Sequence, residues 1–504
     1  MPELTLHYPD GRTETRRVEA GTRLWDAVEP AYRTAPCGGN GCCGKCRVQA
    51  GGALSQPQEQ EKALLGDDLL RGWRLACLTR VTGDAEVTLH QTAQLREICA
   101  DGELPPFVRQ PLFARYGAAV DIGTTTLAAQ LYDHDGRRLA QAVAANPQAV
   151  FGADVISRIE KSLAGEREAL MRCIRRGIDG LLAELSASAG VSPSDIDAVV
   201  VTGNTTMLYL LTGRSVDCLA RAPFAADELF GRWAQAGEVE LASVPSARVY
   251  LPRCISAFVG ADITTALLCS GLCERPDSAL LADIGTNGEL ALWHGGRLRC
   301  CSTAAGPVFE GAGISCGMQG VAGAVSHVLR ENGAVRCRTI GGGEPRGICG
   351  SGIIDAAAVF CGLGIIDETG AFTGGRTDYA LATGVTVTQK DIRMLQLGKS
   401  AVCAGIRTLL EAAGLTPEAL TELSVAGGFG TYLDIRNAAA IGLYPAELEG
   451  KTKVLGNAAL AGAAMLLLAE PYVQKSCALA QQAETVDLST SAVFMAHYVD
   501  CMEF

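Results

Sequence analysis

Two stretches decide the fold: AAVDIGTTTLAAQLYDHDGRRLAQ at residues 118–141 and LLADIGTNGELALWHGGRLRCC at residues 280–301. Each reads as an apolar strand, then Asp-Ile-Gly-Thr, a second strand, a tight Asp-Gly or Gly-Gly turn and a third strand. Asp121 and Asp283 stand 162 residues apart, so the chain carries a distant internal repeat. A strand that delivers Asp into Gly-Thr-Thr or Gly-Thr-Asn-Gly suits phosphate. The glycine lets backbone amides approach phosphate oxygens, and the hydroxyls add hydrogen bonds. The carboxylate cannot bind phosphate itself; its natural role is to hold Mg²⁺ through water or to orient an attacking water. One such turn is a weak sign, because hairpins often contain Gly-Thr. Two matched copies, each opening a three-strand unit, are a much stronger one, and two related halves with these turns facing each other form a cleft. Helical stretches such as ADVISRIEKSL, REALMRCIRRGIDGLLAEL and GNAALAGAAMLLLAE lie between and after the strands, which argues for α/β layers.

Upstream, residues 1–90 read as a separate unit. LTLHY and TETRRVEA flank Pro9-Asp10-Gly11, a hairpin signal; GTRLWDAVEPAY has helical spacing, and RLACLTRV and AEVTLH read as strands. Between them lies CGGNGCCGKC at 37–46. Cys37, Cys43 and Cys46 are spaced C-x5-C-x2-C, with Cys77 following 31 residues after Cys46. That is close to the plant-type pattern for a [2Fe–2S] cluster. A loop around a cluster must aim several thiolates inward and backbone N–H groups at the sulfurs, which its glycines permit. Cys42 offers a rival C-x4-C frame, but Lys45 stands where its next ligand belongs. Zinc is the alternative ion; its ribbons use two separated C-x2-C knuckles, and Cys77 has no such partner. Residues 91–116, with Pro105, Pro106 and Pro111 and no period, read as a linker.

The composition bounds the rest. A chain of 504 residues allows about three compact units. A formal charge of −12 argues against a nucleic-acid binder. With 48% hydrophobic and 19% charged residues the chain is not disordered. The first residues lack a signal-peptide core, and the longest apolar run, 458–469, is too short to span a bilayer. The expectation is a cytoplasmic protein, without membrane association, whose 20 cysteines are reduced or bound to metal.

The paired turns resemble the acetate kinase, sugar kinase, heat-shock chaperone and actin superfamily. VAGGFGTYL at 425–433 fits its adenosine motif, with Gly427, Gly428 and Gly430 leaving room for the nucleotide. GADITTALL at 260–268 and GNAALAGAA at 456–464 fit its two connecting helices. The whole chain resembles the reductive activators of corrinoid proteins. The stretches that carry this are CGGNGCCGKC, RLAC, AVDIGTTT, NPQAVFGADVISRI, VTGNTTM, ADIGTNGE, CSTAAGPVFEGAGISCGM, GICGSGIID and AGGFG. The resemblance implies an α/β and α+β multidomain protein. A β-grasp ferredoxin-like domain (1–90) and a linker (91–116) precede duplicated ribonuclease-H-like subdomains of an actin-like ATPase (117–275 and 276–504).

The activity implied is ATP-dependent one-electron reduction of Co(II) to Co(I) in the corrinoid protein of a methyltransferase system. The electron passes through a [2Fe–2S] cluster held by Cys37, Cys43, Cys46 and Cys77. Asp121 and Asp283 act at the Mg²⁺–phosphate centre, with Asp283 or Glu289 orienting water. Gly123, Thr124, Thr125, Gly285, Thr286 and Asn287 cradle phosphates of ATP, while Gly427 and Gly428 face adenosine. The implied partners are a corrinoid protein, a low-potential electron donor and a second copy of the chain. Glu310, in GPVFEGAGI, is a candidate to face the cleft or equally a cap or surface carboxylate, and the loop 301–306 is a candidate surface for the corrinoid partner. Three rival readings remain: a small-metabolite kinase with a redox regulatory domain, an ATP-dependent electron donor to another low-potential enzyme, and a redox-sensing interaction module.

Overall fold

The computed structural model describes residues 1–8, 11–28, 46–89, 102, 104–331, 333–428 and 432–504. The chain divides into two units, residues 1–94 with 145–174, and residues 95–144 with 175–504. Among the described residues no helix is long and apolar enough to cross a membrane.

In the first unit, β1 (Glu3–His7) and β2 (Thr13–Arg17) form the expected hairpin, with Pro9 and Asp10 of its turn outside the described residues. β3 (Arg47–Leu54), β4 (Trp73–Leu75) and β5 (Val81–Thr88) complete a five-stranded sheet in the order β2-β1-β5-β3-β4, with β1 and β5 parallel. Alternation sends Leu4, Leu6, Val48, Leu75 and Val87 to one face, where they bury against Leu24 and Trp25. This is a β-grasp arrangement. RLACLTRV is not one strand: β4 ends at Leu75, whose carbonyl accepts from the N–H groups of both Leu78 and Thr79. The resulting turn carries Cys77 back toward Cys46, and Ala76 N–H donates to the Cys46 carbonyl at 2.9 Å.

In the second unit, β6 (Tyr116–Ile122) is buried on both faces, as its apolar run requires. It pairs antiparallel with β7 (Thr126–Asp133), which leads to β8 (Arg138–Ala145), and parallel with β9 (Ile196–Gly203). β10 (Arg232–Gln235) and β11 (Arg248–Leu251) finish a sheet of order β10-β11-β9-β6-β7-β8. The pattern then recurs with β12 (Ala279–Ile284), β13 (Gly288–His294) and β14 (Arg297–Thr303). An insertion follows, containing a small sheet of β15 (Ala324–Glu331), β16 (Ala334–Thr339) and β17 (Gly347–Ile348), and a ribbon of β18 (Asp378–Ala382) with β19 (Val385–Thr388). β20 (Glu422–Ala426), β21 (Thr452–Gly456) and β22 (Glu484–Thr485) close a sheet of order β21-β20-β12-β13-β14-β22. The inner strands β11-β9-β6-β7-β8 and β21-β20-β12-β13-β14 share order and direction, so the halves are the duplicated ribonuclease-H-like units.

Two helices, Ala261–Ser270 and Ala458–Leu468, pack against each other where the halves meet. Their small residues are needed there: a Cβ on Gly462 would lie 1.8 Å from the Thr265 carbonyl oxygen. Part of the stretch read as a linker, residues 104–116, is packed in this unit. Gln110 and Leu112 N–H groups donate to the Leu468 and Leu467 carbonyls at 2.8 and 2.9 Å, and Phe113 is buried. Residues 91–101 and 103 of that stretch lie outside the described residues.

Candidate functional site

A cleft in the second unit is lined by both Asp-Ile-Gly-Thr turns. β6 delivers Asp121 opposite Thr202 of β9, and β12 delivers Asp283 opposite Glu289 of β13 and Ala426 of β20. Gly123, Thr124 and Thr125 line one wall and Gly285, Thr286, Asn287 and Glu289 the other, so the fold brings all these expected residues into one space. Gly427 and Gly428 also line it, whereas Gly430 falls outside the described residues. Gly427 adopts φ +108°, and a Cβ there would sit 2.4 Å from the Ile284 carbonyl oxygen and 3.2 Å from Asp283 Oδ1. Only glycine fits, which keeps the space beside Asp283 open.

The cleft is acidic. Burial pushes Asp121 up to about 6, against the lowering effect of a hydrogen bond from Asn457. Asp283 is pushed up to about 7 by burial and by Asp121. Asp262 reaches about 8 through burial first, then the charges of Asp283 and Asp121. Glu289 is raised well above an ordinary carboxylate by burial, Asp262 and Asp283. Among the described residues no lysine, arginine or histidine lines the cleft, and no three acids converge as a direct metal cage. Such a site accepts polyphosphate only with a cation. Mg²⁺ fits, because it usually keeps several waters and uses one or two carboxylates together with phosphate oxygens.

Three polar residues here escaped the sequence reading. Asp262 opens the helix Ala261–Ser270, whose sequence suggests only a small-residue crossing helix. Asn204 and Asn457 each follow a strand-ending glycine and cap a helix, accepting from Met207 N–H at 2.9 Å and Leu460 N–H at 2.8 Å. The other face of each amide reaches the site: Asn204 donates to Thr124 Oγ1 at 3.3 Å and Asn457 to Asp121 Oδ2 at 3.0 Å. The repeated Gly-Asn after a strand was the available signal. Glu310 does face the cleft. Its Oε1 accepts from Thr286 N–H at 3.0 Å and Thr286 Oγ1–H at 2.9 Å, and its Oε2 accepts from the Thr125 hydroxyl. In the stretch 301–306, Cys301, Thr303 and Ala305 are buried, and Ala304 is exposed.

Near Tyr432, another lining residue, stands the imidazole of His327, with ring centroids 6.3 Å apart. His327 Nδ1 is 3.1 Å from the buried Asp355, whose hydrogen bond raises the imidazole pKa. Asn437 and Val328 N–H donate to the same carboxylate at 2.7 and 3.3 Å, so three elements are tied behind this end of the cleft.

In the first unit the buried Cys46 and Cys77 bring their sulfurs to 3.1 Å, a non-bonded approach of two thiols that suits shared ligation of one metal centre. Cys37 and Cys43, with Cys42, lie outside the described residues. The turn bearing Cys77 is braced from both sides by Glu61, which is wholly buried and was not singled out from the sequence. It accepts from Leu75 N–H at 2.8 Å, Thr79 Oγ1 at 3.0 Å and twice from Arg74 at 3.0 and 3.1 Å. A buried carboxylate so fully paired holds its neighbours in place.

Comparison with known proteins matches three family models in series. A 2Fe-2S iron-sulfur cluster binding domain covers residues 7–82, the RACo middle region covers 116–275, and the C-terminal domain of RACo, the ASKHA domain, covers 277–504. The chain is 34% identical over 416 residues to the corrinoid activation enzyme RamQ of Eubacterium limosum, covering 76% of this chain and 69% of that protein. It is 26% identical over 430 residues to the [Co(II) methylated amine-specific corrinoid protein] reductase of Methanosarcina barkeri, covering 76% of each. Among solved structures, a reductive activator for corrinoid,iron-sulfur protein superposes with a TM-score of 0.74 at 27% identity, over 100% of this chain and 98% of that one.

Proposed function

The chain belongs to the RACo family of reductive activators of corrinoid proteins, and on that premise we propose how its own residues divide the work. It is an ATP-dependent iron–sulfur reductase that returns the cobalt of a corrinoid protein from Co(II) to Co(I). The observation that carries the assignment is the pairing in one chain of a thiol site on a β-grasp sheet with an acidic cleft built from two phosphate-type turns.

When bound, the [2Fe–2S] cluster supplies a one-electron donor. Cys46 and Cys77 hold it, together with Cys37 and Cys43. Glu61 and Arg74 fix the Cys77 turn, so the thiols keep their spacing through a change of redox state. In the cleft, Thr124, Thr125, Thr286, Asn287 and the glycines beside them bind the phosphates of ATP, while Gly427 and Gly428 receive the adenosine. Asp121 and Asp283 would hold Mg²⁺, which when bound would neutralise phosphate charge. Glu289, paired across from Asp283 and raised in pKa by burial and then by its acidic neighbours, orients the attacking water. Asn457 holds Asp121 in place from the second crossing helix, so closure around nucleotide is felt by both halves. Binding energy released there drives the conformational change that favours productive docking on the corrinoid partner. The reading includes a low-potential electron donor, a cytoplasmic setting and a homodimer.

The test is anaerobic. Cluster-loaded protein, a Co(II) corrinoid protein and a chemical reductant are mixed with and without Mg-ATP, and visible absorption follows formation of Co(I). Reduction should need ATP and should vanish in Cys46→Ser and in Asp283→Ala. Reduction that proceeds equally without nucleotide would overturn the assignment.

A further inference from the structure

Glu310 lies on neither phosphate-type turn, yet it is the group that joins them. It ends the short turn Pro307–Glu310 that follows β14, and its carboxylate spans two walls of the cleft. Oε1 takes both the amide and the hydroxyl of Thr286, from the β12–β13 turn, at 3.0 and 2.9 Å. Oε2 takes the hydroxyl of Thr125, from the β6–β7 turn, 185 residues away in sequence. Gly285 leaves space for this carboxylate, since a Cβ on it would stand 3.3 Å from Oε1. Three donors converging on one carboxylate make a charge-assisted set, stronger than neutral hydrogen bonds.

Those three donors are the kind that a phosphate oxygen would use: one backbone N–H beside a glycine and two threonine hydroxyls, one from each half. A carboxylate and a phosphate present the same acceptor chemistry and the same sign of charge, so they cannot share these donors. We propose that Glu310 is a displaceable anionic latch: it pins the two phosphate turns together in the nucleotide-free protein and is exchanged for the phosphates of the incoming nucleotide. This inference rests on the ATPase reading of the cleft and adds a regulatory residue to it. Glu310 positions the turns and touches no reacting atom. Binding must release its carboxylate, so nucleotide affinity is held below what the turns alone would give. The release also frees the turn 307–310 beneath the helix Gln389–Ala412, where Gly398 packs so closely that a Cβ would stand 2.8 Å from Val308 Cγ1 and 3.2 Å from Phe309 Cε2. Nucleotide arrival is thereby reported to that helix.

The test uses the full cluster-loaded chain and two variants, Glu310→Gln, which keeps the shape and loses the charge, and Glu310→Ala, which removes the bridge. Binding of Mg-ADP and of a non-hydrolysable ATP analogue is measured by titration calorimetry. Amide exchange is followed at residues 123–126 and 285–287 without nucleotide. Both variants should bind nucleotide about tenfold more tightly, since a competing charged acceptor is gone. Exchange in both turns should rise for Glu310→Ala. Unchanged or weaker affinity in both variants would overturn the latch, as would a lower kcat at unchanged affinity, which would place Glu310 in the chemical step. A wild-type chain that binds no nucleotide would overturn the ATPase reading and the latch with it, and is distinct from variants that bind as the wild type does.

Discussion

Replacing Gly462 by alanine sets two effects of opposite sign against each other. In the interior of a helix, glycine to alanine gains about 1 kcal/mol from propensity. At this position, however, the new Cβ would stand 1.8 Å from the Thr265 carbonyl oxygen, 2.3 Å from its carbonyl carbon and 2.8 Å from its Cα. Carbon and oxygen approach no closer than about 3.3 Å even in favourable contacts, so the two crossing helices must part by about 1.5 Å. All three obstructing atoms are backbone, so no side-chain rotation relieves them. Overpacking of this kind costs up to about 3 kcal/mol, which leaves a net loss near 2 kcal/mol. Asp262 sits in the first turn of one of these helices, so parting them also shifts an acid of the cleft. Gly180 supplies the control: it is exposed within the helix Arg167–Ala189, with nothing within 4 Å of a Cβ, and only the propensity gain applies. Scanning calorimetry should rank Gly180→Ala above the wild type and Gly462→Ala below it, the latter by roughly 2–3 °C. Phosphate release from Mg-ATP should fall for Gly462→Ala alone. A Gly462→Ala protein as stable as the wild type would refute the close crossing.

Removing one acid from the crowded cleft, as in Asp262→Asn, should raise the melting temperature, because burial and like charge disfavour its carboxylate, while ATP hydrolysis falls at least tenfold; calorimetry and phosphate release read the two effects. Cys46→Ser should abolish the visible absorption of the cluster and cobalt reduction yet leave ATP hydrolysis within about twofold, since the thiol site and the cleft lie in different units. Lys399 is buried and donates to the Cys501 carbonyl at 2.6 Å, and burial lowers its pKa from 10.5 to about 8. Between those values Lys399 binds more protons in the unfolded chain than in the folded one, so this group's own contribution to stability rises with pH from 8 to 10.5, by about 3 kcal/mol. Buried thiols such as Cys254 and Cys269, whose pKa values burial raises, contribute the opposite slope. The urea midpoint of Lys399→Met measured relative to the wild type should therefore fall steadily as pH rises across that range.

The amino-acid sequence by itself determined the duplicated strand–turn–strand units, the cysteine spacing and the glycines of the adenosine stretch. These are short-range patterns: a period of two, a turn dipeptide and a ligand interval are set by neighbours along the chain. The strand expected over RLACLTRV failed for the complementary reason, because the Leu75 carbonyl and the distant Glu61 compete for that backbone and bend it into the turn that carries Cys77. The residues that complete the cleft were decided only by the tertiary structure. Asp262 looked like one polar position on a small-residue helix until the crossing brought it beside Asp121 and Asp283. Asn457 reaches Asp121 across 336 residues, and Glu310 reaches Thr125 across 185. No local period encodes such pairs. They exist because two helices can approach to backbone contact where Gly462 of one meets Thr265 of the other, which draws the two repeated turns to face each other and places a third element's carboxylate between them.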